Sequence, residues 1–224
     1  MSNVEHIDLT AFHNPYGGRR WRLTPEGIET EDAGILRTKG KPLTVTRLWQ
    51  DFGDAIRHAC WELDVPSDLV VAMIPIEAVR TSDGRYDPRS IREEPGYVSD
   101  EETPHRVSPG LMQTLISTAR RMADKYDLLP PDRVTRELLF DPYYSILLGT
   151  AYLAHQIERY GPDPVLLCGA YNAGGVYETA RNTWRIRTYG KTRMDRYVAW
   201  FNDYHAAVRQ NLIDPDGCEH SLPG

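Results

Sequence analysis

From residue 44 onward, the apolar positions recur at helical spacing. Leu48, Phe52, Ala55, Ile56, Ala59, Cys60 and Leu63 share one face of a 3.6-residue period and predict a first helix, capped by Thr44 or Thr46. "VPSDLVVAMIPIEAV" predicts a second, with Ser67 as its N-cap. Pro75 removes the hydrogen bond to the Val71 carbonyl, so this helix should kink or end there and leave Glu77 at a break. Ser108 and Pro109 predict the start of a helix through "LMQTLISTARRMADKY". Asp141-Pro142 open another, with Ile146, Leu147, Thr150, Ala151, Ala154 and Ile157 inward and Gly161 at its end. Residues 164–171 and about 193–210 predict the last two.

Other segments lack this pattern. Residues 1–43 carry repeated Gly and Pro and read as an extended arm or a few short strands. Residues 80–107 form a polar loop, long enough to be functional or mobile. Residues 211–224 read as a frayed tail. The expected organisation is an N-terminal arm (1–43), a helical domain (44–210) and a tail (211–224), with an all-α core.

Composition narrows the function. A chain of 224 residues can bury one sizeable core. Its net charge of −6 argues against nucleic acid as the main partner. Two basic stretches, "GGRRWR" (17–22) and "ARNTWRIRTYGKTR" (180–193), read as solvated faces or as attraction to an acidic polymer such as a bacterial cell wall. Cys60, Cys168 and Cys218 are odd in number without CxxC spacing, so neither a disulfide framework nor a metal site is expected. Cys60 and Cys168 lie on apolar faces as buried thiols, which suits a reducing compartment. No apolar run approaches ~18 residues, so no membrane span is expected. The N-terminus lacks the basic and apolar regions of a signal peptide, so synthesis in the cytoplasm is expected.

Three segments carry candidate chemistry. Glu77 ends an apolar run, where desolvation would raise its pKa and let it act as a general acid near neutral pH. In "SPGLMQ" (108–113), Gly110 permits close backbone approach and Gln113 offers amide donors and an acceptor. In "AYNAGG" (170–175), Tyr171 supplies an aromatic platform, Asn172 an amide and the glycines positive φ. Taken singly, each also reads as ordinary helix-end structure.

In this order, the "E…GLMQ…AYNAG" series resembles the lysozyme-like lytic transglycosylases, the family that includes the goose-type lysozymes. The resemblance spans roughly residues 50–208 and includes "RYVAWFNDY" around Tyr197 and Val198. It implies a lysozyme-like helical catalytic domain acting on peptidoglycan glycan strands, with no metal or cofactor. Glu77 would be the sole essential acid and base. Gly110, Leu111, Met112 and Gln113 would line one side of a sugar cleft, and Tyr171, Asn172, Ala173 and Tyr197 would complete it. Protonated Glu77 would cleave the bond between N-acetylmuramic acid and N-acetylglucosamine. As a base it would then draw the C6 hydroxyl onto C1, giving a 1,6-anhydro product.

The match departs from the family in places. Ala78 stands where the family usually has Ser, Gly175 where a proline is common, and the loop after Glu77 is longer than the common form. That loop is acidic, and Asp87, Asp100 or Glu101 could supply the second carboxylate of a goose-type hydrolase. A non-catalytic wall-binding or virion module is the other class. A wall-degrading enzyme without a leader fits a bacteriophage lysis or virion protein, or a secretion-system effector, with the arm docking on the domain or on a partner protein.

Overall fold

The computed structural model describes residues 8–190 and 192–215. Cys218, the last nine positions and the first seven, on which the leader reading partly rests, lie outside them. Among the described residues the chain forms seven α-helices and five short strands.

The first helix, α1 (Leu43–Leu63), begins directly after Pro42. Neither threonine caps it as expected. Proline holds the entry angle, and the Thr46 hydroxyl donates back to the Pro42 carbonyl at 2.9 Å. Asp64 ends it in the left-handed region, φ 51°, with its N–H on the Cys60 carbonyl.

Next comes α2 (Ser67–Glu77), buried at every position. Pro66 occupies the cap position, and the Ser67 hydroxyl instead pairs with Tyr204 at 2.7 Å. The helix runs two residues past Pro75 and stops at Ala78, whose ψ of 152° is extended. Its surroundings hold it that far. Arg196 donates to the Pro75 carbonyl (3.2 Å), one of the last-turn carbonyls of the helix, and the Ala78 N–H closes on the Ile74 carbonyl (2.9 Å). Helix α2 packs against α1 and against α7 (Arg193–Arg209).

The acidic loop is structured. Strand β4 (Ile91–Glu93) pairs antiparallel with β5 (Val107–Pro109), Arg92 facing Ser108. The helix expected from Ser108 starts only at Ile116, as α3 (Ile116–Lys125). Gly110 (φ 85°) and Gln113 (φ 49°) adopt left-handed backbone, which no helix accommodates. A short α4 (Arg136–Phe140) precedes α5 (Pro142–Tyr160), capped by Asp141. Asp163 caps α6 (Pro164–Ala173) through the N–H groups of Val165 and Leu166. Gly174, at φ 76°, ends it.

The N-terminal arm holds a three-stranded antiparallel sheet: β1 (Trp21–Thr24), β2 (Gly27–Thr30) and β3 (Gly34–Ile35). Trp21 and Ile28 are fully buried in the same core as α2. Asn202 of α7 joins the sheet to the helices. Its Oδ1 accepts from Ile28 N–H (2.6 Å), and its Nδ2 donates to the carbonyls of Ile28 (2.9 Å) and Leu36 (2.7 Å).

Candidate active site

Glu77 is the last residue of α2, with 6% of its surface exposed. Position and burial act together. The carboxyl lies at the negative end of the helix dipole and is out of water, and both disfavour the charged form. Burial pushes its pKa up, against the opposing charges of Arg193 and Arg92. Arg193, the first residue of α7, donates from Nη1 to Glu77 Oε1. Arg92, exposed on β4, brings the loop hairpin within electrostatic reach of the acid.

Helix α6 supplies the neighbouring wall. Tyr171 is 7% exposed and feels the charge of Glu77. Its hydroxyl donates to the Met112 carbonyl (2.8 Å), so the Thr114 hydroxyl, 2.9 Å away, must be the donor to it. The Tyr152 ring lies 5.0 Å from that of Tyr171. Burial raises the Tyr171 hydroxyl well above the usual tyrosine range and pushes the Cys168 thiol up to about 12, so both stay neutral beside the acid. Cys60 and Cys168 are both buried in the core.

The turn 110–115 forms the facing segment, held by backbone rather than by exposed side chains. A Cβ on Gly110 would lie 2.1 Å from the Leu139 carbonyl oxygen and 2.4 Å from Ser145 Oγ, so its close approach is to the protein's own chain. Leu111 and Met112 are fully buried, Met112 against Gly149 of α5. Their side chains therefore do not line a cleft. Gln113 is half-buried, and its Nε2 donates to the Gly110 carbonyl at 2.9 Å. Tyr197 is also fully buried, because the period of α7 puts it on the inner face with Met194, Val198 and Phe201. Asn172 and Ala173 are half-buried at the end of α6. Asn172 Oδ1 accepts from the N–H of Tyr189 (2.6 Å), which ties the segment before α7 to this wall.

The loop carboxylates are placed differently from Glu77. Asp100 is gripped by Arg136 and Tyr97, and the Arg136 hydrogen bonds hold its pKa below the usual range. Asp87 accepts from the backbone of Arg89 at 2.8 Å, as a turn-forming aspartate does. Glu101 is exposed.

Arg193 is the site residue that the sequence pattern missed. It ends the basic stretch 180–193, which read as a solvated face or as attraction to an acidic polymer. Trp184 and Ile186 of that stretch are buried.

The chain belongs to the transglycosylase SLT domain family, whose profile matches residues 60–192, from within α1 to the residue before Arg193. A Haemophilus influenzae protein named as a soluble lytic murein transglycosylase is 39% identical over 108 residues, 48% of this chain and 17% of that protein. A crystal structure of an inactive variant of the Pseudomonas aeruginosa lytic transglycosylase Slt is similar at 18% identity, with a TM-score of 0.45. It is covered over 73% of this chain and 25% of that one. The chain thus spans less than a fifth of the Haemophilus relative and a quarter of the Pseudomonas chain. No helix among the described residues is long and apolar enough to cross a membrane.

Proposed function

We propose that this chain is a peptidoglycan lytic transglycosylase. It cleaves the β-1,4 bond between N-acetylmuramic acid and N-acetylglucosamine, with Glu77 as general acid and then base. The observation that carries the reading is a buried carboxyl with raised pKa at the end of α2, beside the Tyr171 wall, in a chain of the SLT family.

Raised by burial, the Glu77 carboxyl can hold its proton toward neutral pH. It gives that proton to the glycosidic oxygen, and the C1–O bond breaks. The substrate's own N-acetyl group stabilises the charge left at C1. The Glu77 carboxylate then takes the proton of the C6 hydroxyl, and O6 closes on C1. The acid is regenerated and no water enters the product. In this reading Asn172 and Ala173, half-buried next to Tyr171 in the chain, contact the sugar beside the scissile bond. Asp87 accepts from the Arg89 backbone and Asp100 is paired with Arg136 of α4, which favours this route over activation of water by either of these two carboxylates.

Digestion of purified peptidoglycan in ¹⁸O-labelled water tests the reaction class. The anhydro route leaves the new muramic ends unlabelled and lighter by one water. Labelled reducing ends would instead show hydrolysis.

A further inference from the structure

The Glu77 carboxylate is created by its own first step, in a place that disfavours charge. Ala78, next in the chain, has no hydroxyl to support it. We propose that Arg193 is the positioning residue of the site, holding Glu77 in one orientation and sustaining its carboxylate between proton donation and proton recovery. This rests on Glu77 being the general acid.

The arginine is held at two points. Its Nη1 donates to Glu77 Oε1, and its Nε donates to the Tyr189 carbonyl at 3.1 Å. The N–H of Tyr189 is bound in turn by Asn172 Oδ1. One hydrogen-bonded path thus runs from the end of α6, through the segment before α7, to the acid at the end of α2. Both charged side chains are withdrawn from water, Arg193 at 8% and Glu77 at 4% exposure. In such surroundings a lone carboxylate is costly, whereas a carboxylate hydrogen-bonded to a fixed guanidinium is supported. The proton cycle needs both forms of Glu77, so burial favours the acid and Arg193 offsets it enough for the base to form.

Among the described residues, Arg193 from α7, Arg92 from β4, and Cys168 and Tyr171 from α6 interact electrostatically with Glu77, and Arg196 of α7 is bound to the Pro75 carbonyl two residues before it. Cys168 and Tyr171 stay neutral, and Arg92 is exposed. The arginine in direct contact therefore dominates.

The test compares kcat, KM and pH–rate profiles on peptidoglycan for the parent, Arg193→Lys and Arg193→Gln, with Glu77→Gln as the floor. Arg193→Gln should lose roughly 100-fold or more in kcat, the scale of an acid–base contribution. Its KM should change little and its profile should move to higher pH. Arg193→Lys should fall between, because it keeps the charge but not the two-point grip. Parental kcat and an unmoved profile in folded Arg193→Gln, with Glu77→Gln inactive, would overturn the role of Arg193 alone. A fully active Glu77→Gln would remove the acid and this role together. Should Arg193→Gln not fold, guanidinium NMR of the unaltered protein decides. Arg193 signals that follow the titration of Glu77 support the pairing, and signals indifferent to it refute it.

Discussion

The Tyr171 hydroxyl donates to the backbone carbonyl of Met112 at 2.8 Å, joining the end of α6 to the turn that leads into α3. Two of the segments singled out in the sequence are thereby locked to each other. Tyr171→Phe keeps the ring and removes the lock, leaving the Met112 carbonyl and the Thr114 hydroxyl unpaired in a buried place. The expected cost is about 1–3 kcal/mol of stability, read by urea unfolding, with a fall in kcat as the wall loosens.

Two glycines of the site differ in what they exclude. Gly110 combines φ of 85° with a Cβ position overlapping the Leu139 backbone, whereas Gly174 has φ of 76° and open space around it. Gly174→Ala should cost about 1–2 kcal/mol, the left-handed penalty alone. Gly110→Ala should cost considerably more, because backbone has to move. Paired thermal melts check this; equal losses would mean that the turn adapts around an added methyl.

The arm supplies a pH-dependent contribution to stability. His13 Nε2 lies 2.7 Å from Asp163 Oδ2, at the cap of α6. Burial alone would lower the His13 pKa, but the hydrogen bonds to Asp163 and the Ala11 carbonyl raise it overall above 6.5. A folded pKa above the unfolded one means stability that is fully present below about pH 6.5 and lost as pH rises through the folded value. Urea midpoints measured from about pH 5.5 to about pH 8.5 should fall more steeply for the parent than for His13→Gln. Parallel slopes would show that His13 does not gain protons on folding.

The sheet of the arm is expected to be inseparable from the helices. Asn202→Ala would strip partners from the Ile28 N–H and from the Ile28 and Leu36 carbonyls, at a cost of about 3 kcal/mol. Removing residues 1–42 would also open the core at Trp21 and Ile28 and should abolish cooperative unfolding. A truncated chain that still melts cooperatively would make the arm an appendage.

Much of this was legible locally. Asp141-Pro142 announces α5 because capping and proline act within a few residues. The apolar run before Glu77 foretells its burial for the same reason. What escaped depends on distant partners or on backbone sign. The start of α3 was misplaced because left-handed Gly110 and Gln113 interrupt a run that otherwise looks helical. The β4–β5 hairpin pairs strands across a polar loop without alternating apolar residues. Leu111, Met112 and Tyr197 carry the motifs yet face the core, since a motif does not state which way its side chains point. Arg193 lies 116 positions from Glu77, and nothing beside it in the chain signals an acid partner.

The most direct measurement is mass spectrometry of muropeptides released from purified peptidoglycan by the parent protein and by folded Glu77→Gln. The account predicts 1,6-anhydromuramic ends from the parent and none from the variant. Anhydro products released equally by both would contradict it.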